Sequence, residues 1–512
     1  MPTLDADLIA GLRADFAAAD FTVDTVRGLW SEAAGGALSR SHRIPAEREL
    51  RAARNAGELT QAGTLAWLFV LGLPAPVDEL DAALPSLSTD GAAALGLIEF
   101  AESGSGESDL VRPLVDLRPY SFVDAIGPAE WWVASDLGEL ALGRALDADH
   151  VLGIGGASTT LSGLIVAREV ERALDLGTGC GIQAMHVARR ATHVVATDIS
   201  PRALEFAAFN AALNGIRNIE FRLGSLFEPV EGELFEHIVS NPPFVITPRV
   251  DEVPEYEYRD GGFVGDELVQ RVIEGIRHHL APGGIAQLLG NWEYRDGTDG
   301  LDRVRAWSRG LDHWVVEREL QDAPRYAETW IRDGGTRSGD PEYDRWYAAW
   351  LDDFTARGVD YVGFGYLTLR APIGSPTLAR TEQVESSGTN PAGLGEHVAR
   401  AVAAHDALVR LTDAGLADLA LTLAGDVTEE RHSWPGDENP IVITLHQGAG
   451  FGRSLQVDPA LAGLVGACDG ELTVGQISDA IATLFEVGRP ELRADLLPRV
   501  RELVFTGFLN LP

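Results

Sequence analysis

Lysine is absent from this chain. All 41 basic residues among 512 are arginine, set against 77 acidic ones, for a formal net charge of −36. Nucleic-acid backbones are held by neutralising phosphates with Lys and Arg. A general backbone binder is therefore excluded, although a local Arg patch is not. An anionic membrane surface is disfavoured for the same reason. The missing Lys itself reads as a codon bias towards Arg. Cysteine is scarce too: Cys180 and Cys468 alone cannot make a disulfide framework. Glycine (56) and proline (26) are too few for a low-complexity chain. No apolar run suits a membrane span of about 20 residues. The longest, Leu59 to Val77, is interrupted by Thr60, Gln61 and Thr64 and ends at Pro74 and Pro76. It reads as a buried helix. The start, Met1-Pro2-Thr3-Leu4-Asp5, has no basic segment of the signal-peptide kind. A reducing, cytoplasmic setting is the expectation, with no membrane partner.

What is present is ordinary globular composition, 45% hydrophobic and 23% charged, in a length that suits two to four domains. Residues 1–110 read as a helical N-terminal domain. Leu8, Leu12 and Phe16 recur at helical spacing, and Thr22 or Asp24 would cap a second helix. Asp90 to Phe100 leads into Ser103-Gly104-Ser105-Gly106, a turn signal. Helices followed by a hairpin suggest a winged-helix-like module. Residues 111–375 carry strand-like pieces (Leu114 to Phe122, Trp131 to Ala134) and then alternate. Strands are expected at Ala173 to Leu176, Val194 to Thr197, Ile219 to Leu223, His237 to Ser240 and Ile285 to Leu289. Helices are expected at Ile182 to Ala188, Arg202 to Asn214 and Arg271 to Leu280. Such alternation predicts an α/β fold, a doubly wound and mostly parallel sheet. Residues 376–394, rich in Ser, Thr, Gly and Pro, read as a linker. Residues 395–512 read as a C-terminal α+β domain, again winged-helix-like, with helices at His397 to Thr412, Val474 to Leu484 and Leu492 to Thr506.

Three short motifs carry chemistry. Asp175-Leu176-Gly177-Thr178-Gly179-Cys180-Gly181 lies between a strand and a helix. Glycines let the backbone turn tightly and approach a ligand closely. Thr197-Asp198 ends the next strand, where an acidic side chain can accept both ribose hydroxyls in nucleotide-binding α/β folds. Asn241-Pro242-Pro243-Phe244 follows a later strand. Two prolines lock φ and remove donors, so the turn is rigid. The Asn241 side-chain oxygen and the Pro242 carbonyl can accept N–H groups from a substrate nitrogen, and Phe244 can stack on a flat group. Alone, Asp198 reads as a solvated turn residue and the Pro-Pro turn as structural. Together, in order, they do not.

This set resembles class I S-adenosylmethionine-dependent methyltransferases over about residues 150–320. The Asn-Pro-Pro-Phe element is similar to that of the amino-methylating, small-domain branch, which includes release-factor glutamine methyltransferases and nucleobase amine methyltransferases. The resemblance implies S-adenosylmethionine as cofactor. Gly177, Thr178, Gly179, Cys180 and Gly181 would cradle its methionine part, and Asp175 would meet its amino group, directly or through water. Asp198 would bind the ribose and Ile199 would pack on adenine. Ser225 and Leu226 stand where the family often has an Asp reading the adenine amine. Asn241, Pro242, Pro243 and Phe244 would hold the accepting nitrogen. The implied function is N-methylation of a planar nitrogen on a protein glutamine or on an RNA or DNA base. A small-molecule N-methyltransferase and a non-catalytic cofactor-binding scaffold are the alternatives. His186 and His193 lack metal-ligand spacing with Cys180, so no metal is expected. Arg249 to Gly262, with Tyr256, Tyr258 and Arg259, reads as a lid over the site or as an exposed acidic loop. Trp292 and Glu293 would either border the pocket or pack in the core.

Overall fold

The structure, a computed structural model, describes residues 2–101, 109–143, 146–250, 253, 259–437 and 439–512. They fall into two compact units: Met1–Ser162 with Glu169–Glu382, and Gly163–Arg168 with Gln383–Pro512.

The first unit is organised by an eight-stranded sheet. Its strands in chain order are β1 (Val170–Leu176), β2 (Ala191–Asp198), β3 (Ile219–Leu223), β4 (Phe235–Ser240), β5 (Leu280–Arg295), β6 (Asp312–Asp322), β7 (Val359–Arg370) and β8 (Ala379–Gln383). They lie in the order β8-β6-β7-β5-β4-β1-β2-β3. Strands β1 to β5 pair in parallel, while β7 runs antiparallel to both β5 and β6. The helices are α1 (Ile182–Ala188), α2 (Pro201–Leu213), α3 (Glu267–His279), α4 (Gly300–Trp307), α5 (Ala323–Asp333) and α6 (Tyr343–Ala356). The chain steps outward from β1 to β2 to β3, then returns to lay β4 on the other side of β1. The carboxyl ends of β1 and β4 therefore flank a topological switch point, where open α/β sheets bind ligands.

Local chemistry explains these elements. The inner stretches of the central strands, such as Val194-Val195-Ala196 and Ile238-Val239, are apolar and fully buried because both faces are covered. Leu174 and Leu176, two residues apart on β1, share a core with Val269, Val272, Ile273 and Ile276 of α3. Helix α2 starts at a Ser200 cap with Pro201 in its first turn. It stops before Gly215, which takes φ +71.

The N-terminal region is helical from Ala6 to Ala94, and the Thr22 side chain caps the second helix. An antiparallel pair follows, Ile98–Phe100 with Leu110–Pro113. The Ser103 to Gly106 turn expected between them lies outside the described residues. The apolar run becomes a short helix, Gln61–Leu65, continuing into a wider π-helical turn, Ala66–Val70, buried from Ala62 onward. Among the described residues no helix is long and apolar enough to cross a membrane.

The core of the N-terminal helices is continuous with that of α2. Leu12, Phe16 and Phe21 pack in one cluster with Phe206, Phe209 and Leu213 of α2. Phe16 also stands 5.5 Å from Trp132 of a long hairpin, Asp116–Asp124 with Gly127–Ser135. The segment 376–394 contains β8 and so contributes an edge to the large sheet. Its polar residues Arg380, Thr381 and Glu382 suit an edge strand with solvent on one side.

The second unit combines helices Gly395–Arg410, Pro459–Gly466, Val474–Leu484 and Arg489–Phe505 with an antiparallel sheet of Val427–His432, Val442–Gln447 and Ser454–Val457. Thr473 and Gln476 close a reciprocal cap at the start of Val474–Leu484.

Candidate active site

A cleft opens at the switch point, with an empty volume of about 1220 Å³ that includes its open mouth. Gly177, Thr178, Gly179, Cys180, Asp198, Ile199, Ser225, Leu226, Asn241, Pro242 and Pro243 all line it. The expected residues thus converge from the ends of β1, β2, β3 and β4. Asp175, Gly181 and Phe244 are not on its wall.

Asp175 is fully buried beneath the glycine turn. One carboxylate oxygen accepts the Thr178 hydroxyl at 2.6 Å and the Ala184 N–H at 2.8 Å. The other has no hydrogen-bond partner. Burial pushes the carboxyl up to about 7, against the lowering effect of those two bonds, and nearby Asp198 pushes it the same way. Asp175 braces the loop from beneath and does not line the cleft.

The glycines divide the work. Gly177 and Gly179 take φ +74 and +55, and a Cβ at either would meet nothing within 4 Å. Their open face is a cradle that side chains would fill. At Gly181 a Cβ would lie 2.9 Å from Ala207 on α2, so that glycine serves helix packing. Cys180 is buried, and burial pushes its thiol up to about 11. It stays protonated and acts as a small residue.

Asp198 accepts the Gly179 N–H at 2.9 Å through one oxygen and the Ser200 N–H at 2.9 Å through the other. Burial raises its pKa. Each oxygen retains a further lone pair for a ligand hydroxyl. Ile199 beside it is exposed, as a residue that packs on a ligand would be.

At the end of β4, the Ser240 hydroxyl donates to the Leu176 carbonyl at 2.8 Å and ties β4 to β1. Asn241 follows, and its Oδ1 is buried with no hydrogen-bond partner. The Phe244 ring instead meets Trp330 and Phe364 edge-on, at 6.3 and 6.4 Å. It packs against these rings and is not on the cleft wall.

The remaining wall carries no sequence motif: Asp149 to Gly153, Ser158, Gln183, Phe263, Leu268 and Val272; Gly261, from the segment expected as a lid, joins it. Asp136, at the end of the hairpin, pins the first of these segments. Its carboxylate accepts the Val151 N–H at 2.8 Å and Arg202 Nε at 3.0 Å. Asn210 of α2 adds a second tie, bonding both backbone groups of Ala134 and, at 2.8 Å, the Cys180 carbonyl. A signal for Gln183 was legible: a polar side chain in the apolar first turn after the glycine loop. The segment 149–153 carries no motif that would have marked it.

Other expected features resolve as structural. His186 is packed among Tyr120, Phe122 and Trp131, with Tyr120 Oη at 3.1 Å from its Nε2. Burial pushes its pKa down to about 3, so it stays neutral. His193 pairs with Glu220 at the surface. Among the described residues no cluster of His, Cys, Asp and Glu is built to hold a metal. Trp292 is fully buried and donates to Glu317, and Glu293 is buried against Arg357, so neither borders the cleft. In the candidate lid, Arg249 and Asp260 pair across the base of the loop and Arg259 pairs with Asp333 at 2.9 Å. Tyr256 and Tyr258 lie outside the described residues.

Comparison with known families and proteins fits this geometry. Residues 154–294 match the methyltransferase small domain family. Residues 18–108 and 404–511 match two domains of unknown function. The chain is 37% identical over 131 residues to a release factor glutamine methyltransferase of Xylella fastidiosa, covering 24% of this chain and 47% of that one. It is 36% identical over 119 residues to a putative protein N5-glutamine methyltransferase of Methanocaldococcus jannaschii (23% and 59%). A ribosomal protein uL3 glutamine methyltransferase of Bordetella pertussis is 36% identical over 130 residues (23% and 43%). The chain spans about half the length of the curated relatives it matches.

A doubly wound sheet bearing these motifs at its switch point, together with the family match, makes the central region a class I S-adenosylmethionine-dependent methyltransferase domain. Within that class, residues 154–294 match the methyltransferase small domain family, and the same region is similar to release factor glutamine methyltransferases. S-adenosylmethionine is the cofactor of that domain. The residues present fit it: an open glycine cradle, a carboxylate with spare lone pairs at Asp198, and unpartnered buried acceptors at Gln183 and Asn241.

Proposed function

We propose that the protein methylates the side-chain amide nitrogen of a glutamine in a protein substrate of the release-factor or ribosomal-protein kind. The observation that carries this reading is Asn241: a buried acceptor without a partner, on a rigid turn at the wall of the cofactor cleft. When bound, S-adenosylmethionine supplies an electrophilic methyl group. A primary amide nitrogen is a poor nucleophile because its lone pair is delocalised. Asn241 Oδ1 would accept one of its N–H groups and the Pro242 carbonyl the other. That arrangement aligns the nitrogen and favours its more pyramidal, reactive form. Pro243, Phe263, Leu268 and Val272 supply apolar wall that keeps water from the reacting nitrogen. No strong base is needed first, and neutral His186 is not placed to act as one.

Two observations favour an amide over a nucleobase. Phe244 is spent on Trp330 and Phe364 rather than offered for stacking. The net charge of −36 repels a polyphosphate. The names of the curated relatives point the same way. A cytoplasmic setting goes with such substrates. The division into 1–110, 111–375, 376–394 and 395–512 is kept as a proposal for labour: a methyltransferase domain whose flanks recognise the substrate. The test is transfer of labelled methyl from S-adenosylmethionine to protein, RNA and small-molecule pools from a methylation-deficient host. N5-methylglutamine in the protein pool is the expected product. Label found only in RNA or in a small molecule would replace the amide reading. Cofactor binding without transfer to any pool would favour a scaffold.

A further inference from the structure

We propose that Gln183 receives the α-ammonium group of the cofactor's methionine, the role that the glycine motif would give to Asp175. The inference deepens the cofactor reading of the cleft and rests on it. Gln183 lies in the first turn of α1 and is only 3% exposed. Its Nε2 donates to the Ser158 carbonyl at 2.7 Å. Turning the amide over would face two oxygens at that distance, so the hydrogen bond fixes which atom is which. Oε1 is thereby presented elsewhere, and it has no hydrogen-bond partner. Gln183 and Ser158 both line the cleft beside Gly177 to Cys180. A buried acceptor without a partner is costly unless a ligand donates to it.

S-adenosylmethionine offers N–H donors at two ends, the adenine amine and the α-ammonium. Asp198, Ile199, Ser225 and Leu226 mark the nucleoside end. The glycine loop marks the other, and Gln183 stands there. Asp175 is poorly suited to the role. It is fully buried, off the cleft, and committed to Thr178 and Ala184. Burial also costs it much of its charge at neutral pH. A neutral amide can accept from an ammonium without carrying a desolvated charge of its own.

The test is calorimetry on the full chain with two ligands. One is S-adenosylmethionine. The other is 5′-methylthioadenosine, which keeps the nucleoside and the sulfur but lacks the amino-acid group. Gln183→Leu should weaken S-adenosylmethionine roughly tenfold to a hundredfold. It should change methylthioadenosine by less than about threefold. Gln183→Met keeps the length of the side chain and removes the acceptor without adding a charge, so it should lose S-adenosylmethionine affinity as selectively. That second variant gives the reading where the Leu variant does not fold. Equal losses for both ligands, or no loss for either, in the folded variant overturn the assignment and leave the cofactor reading standing. Wild-type protein that binds neither ligand overturns both.

Discussion

Replacing Asp175 with Asn should make the protein more stable at neutral and mildly alkaline pH and leave it unchanged only in acid below the ordinary carboxyl pKa. The folded state raises the Asp175 pKa from 3.8 to about 7. Between those values the native protein holds a proton that the unfolded chain has released. Stability must therefore fall as pH rises through that window, with the full penalty present above it. At about 1.4 kcal/mol per pKa unit, the penalty is about 4 kcal/mol. The side chain is fully buried, so solvent screening gives no discount. Asn keeps one oxygen to accept from Thr178 and Ala184. Its NH₂ takes the position of the unpartnered oxygen, much as the protonated acid would place an O–H there. The variants should thus match only below about pH 3.5, already differ by about 2 kcal/mol at pH 5, and diverge to as much as about 4 kcal/mol near pH 8.5. Urea unfolding of both proteins at several pH values measures the difference, from which all other titrating groups cancel. A difference that stays constant with pH would refute the raised pKa. An Asn variant less stable at every pH would show that the loop needs the charge itself. Cofactor affinity should change by less than about threefold, because Asp175 is off the cleft wall.

Further outcomes follow from the same geometry. Asn241→Ala should lower single-turnover methylation by about 10²–10³, the usual cost of losing one preorganised polar group, with little change in cofactor affinity. A near wild-type rate would move the acceptor site elsewhere. Asp198→Ala should weaken S-adenosylmethionine by roughly tenfold to a hundredfold by calorimetry, because charged hydrogen bonds to the ribose are lost. An excised 111–375 fragment should be insoluble or molten, since it exposes Phe206, Phe209 and Leu213 where Leu12, Phe16 and Phe21 pack. A soluble fragment that binds cofactor would make the first 110 residues dispensable for folding.

Motifs punctuated by glycine and proline were readable from sequence. The helix Ile182–Ala188 and the strand Ile219–Leu223 fall where the periodicity puts them, because glycines and turns bound them on either side. Between residues 300 and 375 the pattern yields no assignment. Long antiparallel strands there, Asp312–Asp322 and Val359–Arg370, lack the compact strand–loop–helix punctuation of a parallel unit. Strand β8 hid in a polar segment because an edge strand needs no apolar run. Three expected site residues, Asp175, Gly181 and Phe244, lie off the cleft wall for reasons of packing, Gly181 against Ala207 of α2. Phe244 is drawn off the cleft by Trp330 and Phe364, which arrive from far along the chain. Asp175 is claimed by Thr178 and Ala184, close in sequence but brought onto it only once the loop has closed.

Asn210 has a consequence for motion. Its one side chain holds the Ala134 amide and the Cys180 carbonyl together. The Ala134 N–H can exchange its hydrogen with solvent only while that side chain has let go, and letting go also releases the loop's tie at the Cys180 carbonyl. The exchange rate of a backbone amide in the hairpin therefore reports on that one tie of the loop, and whatever steadies Asn210 slows the amide with it.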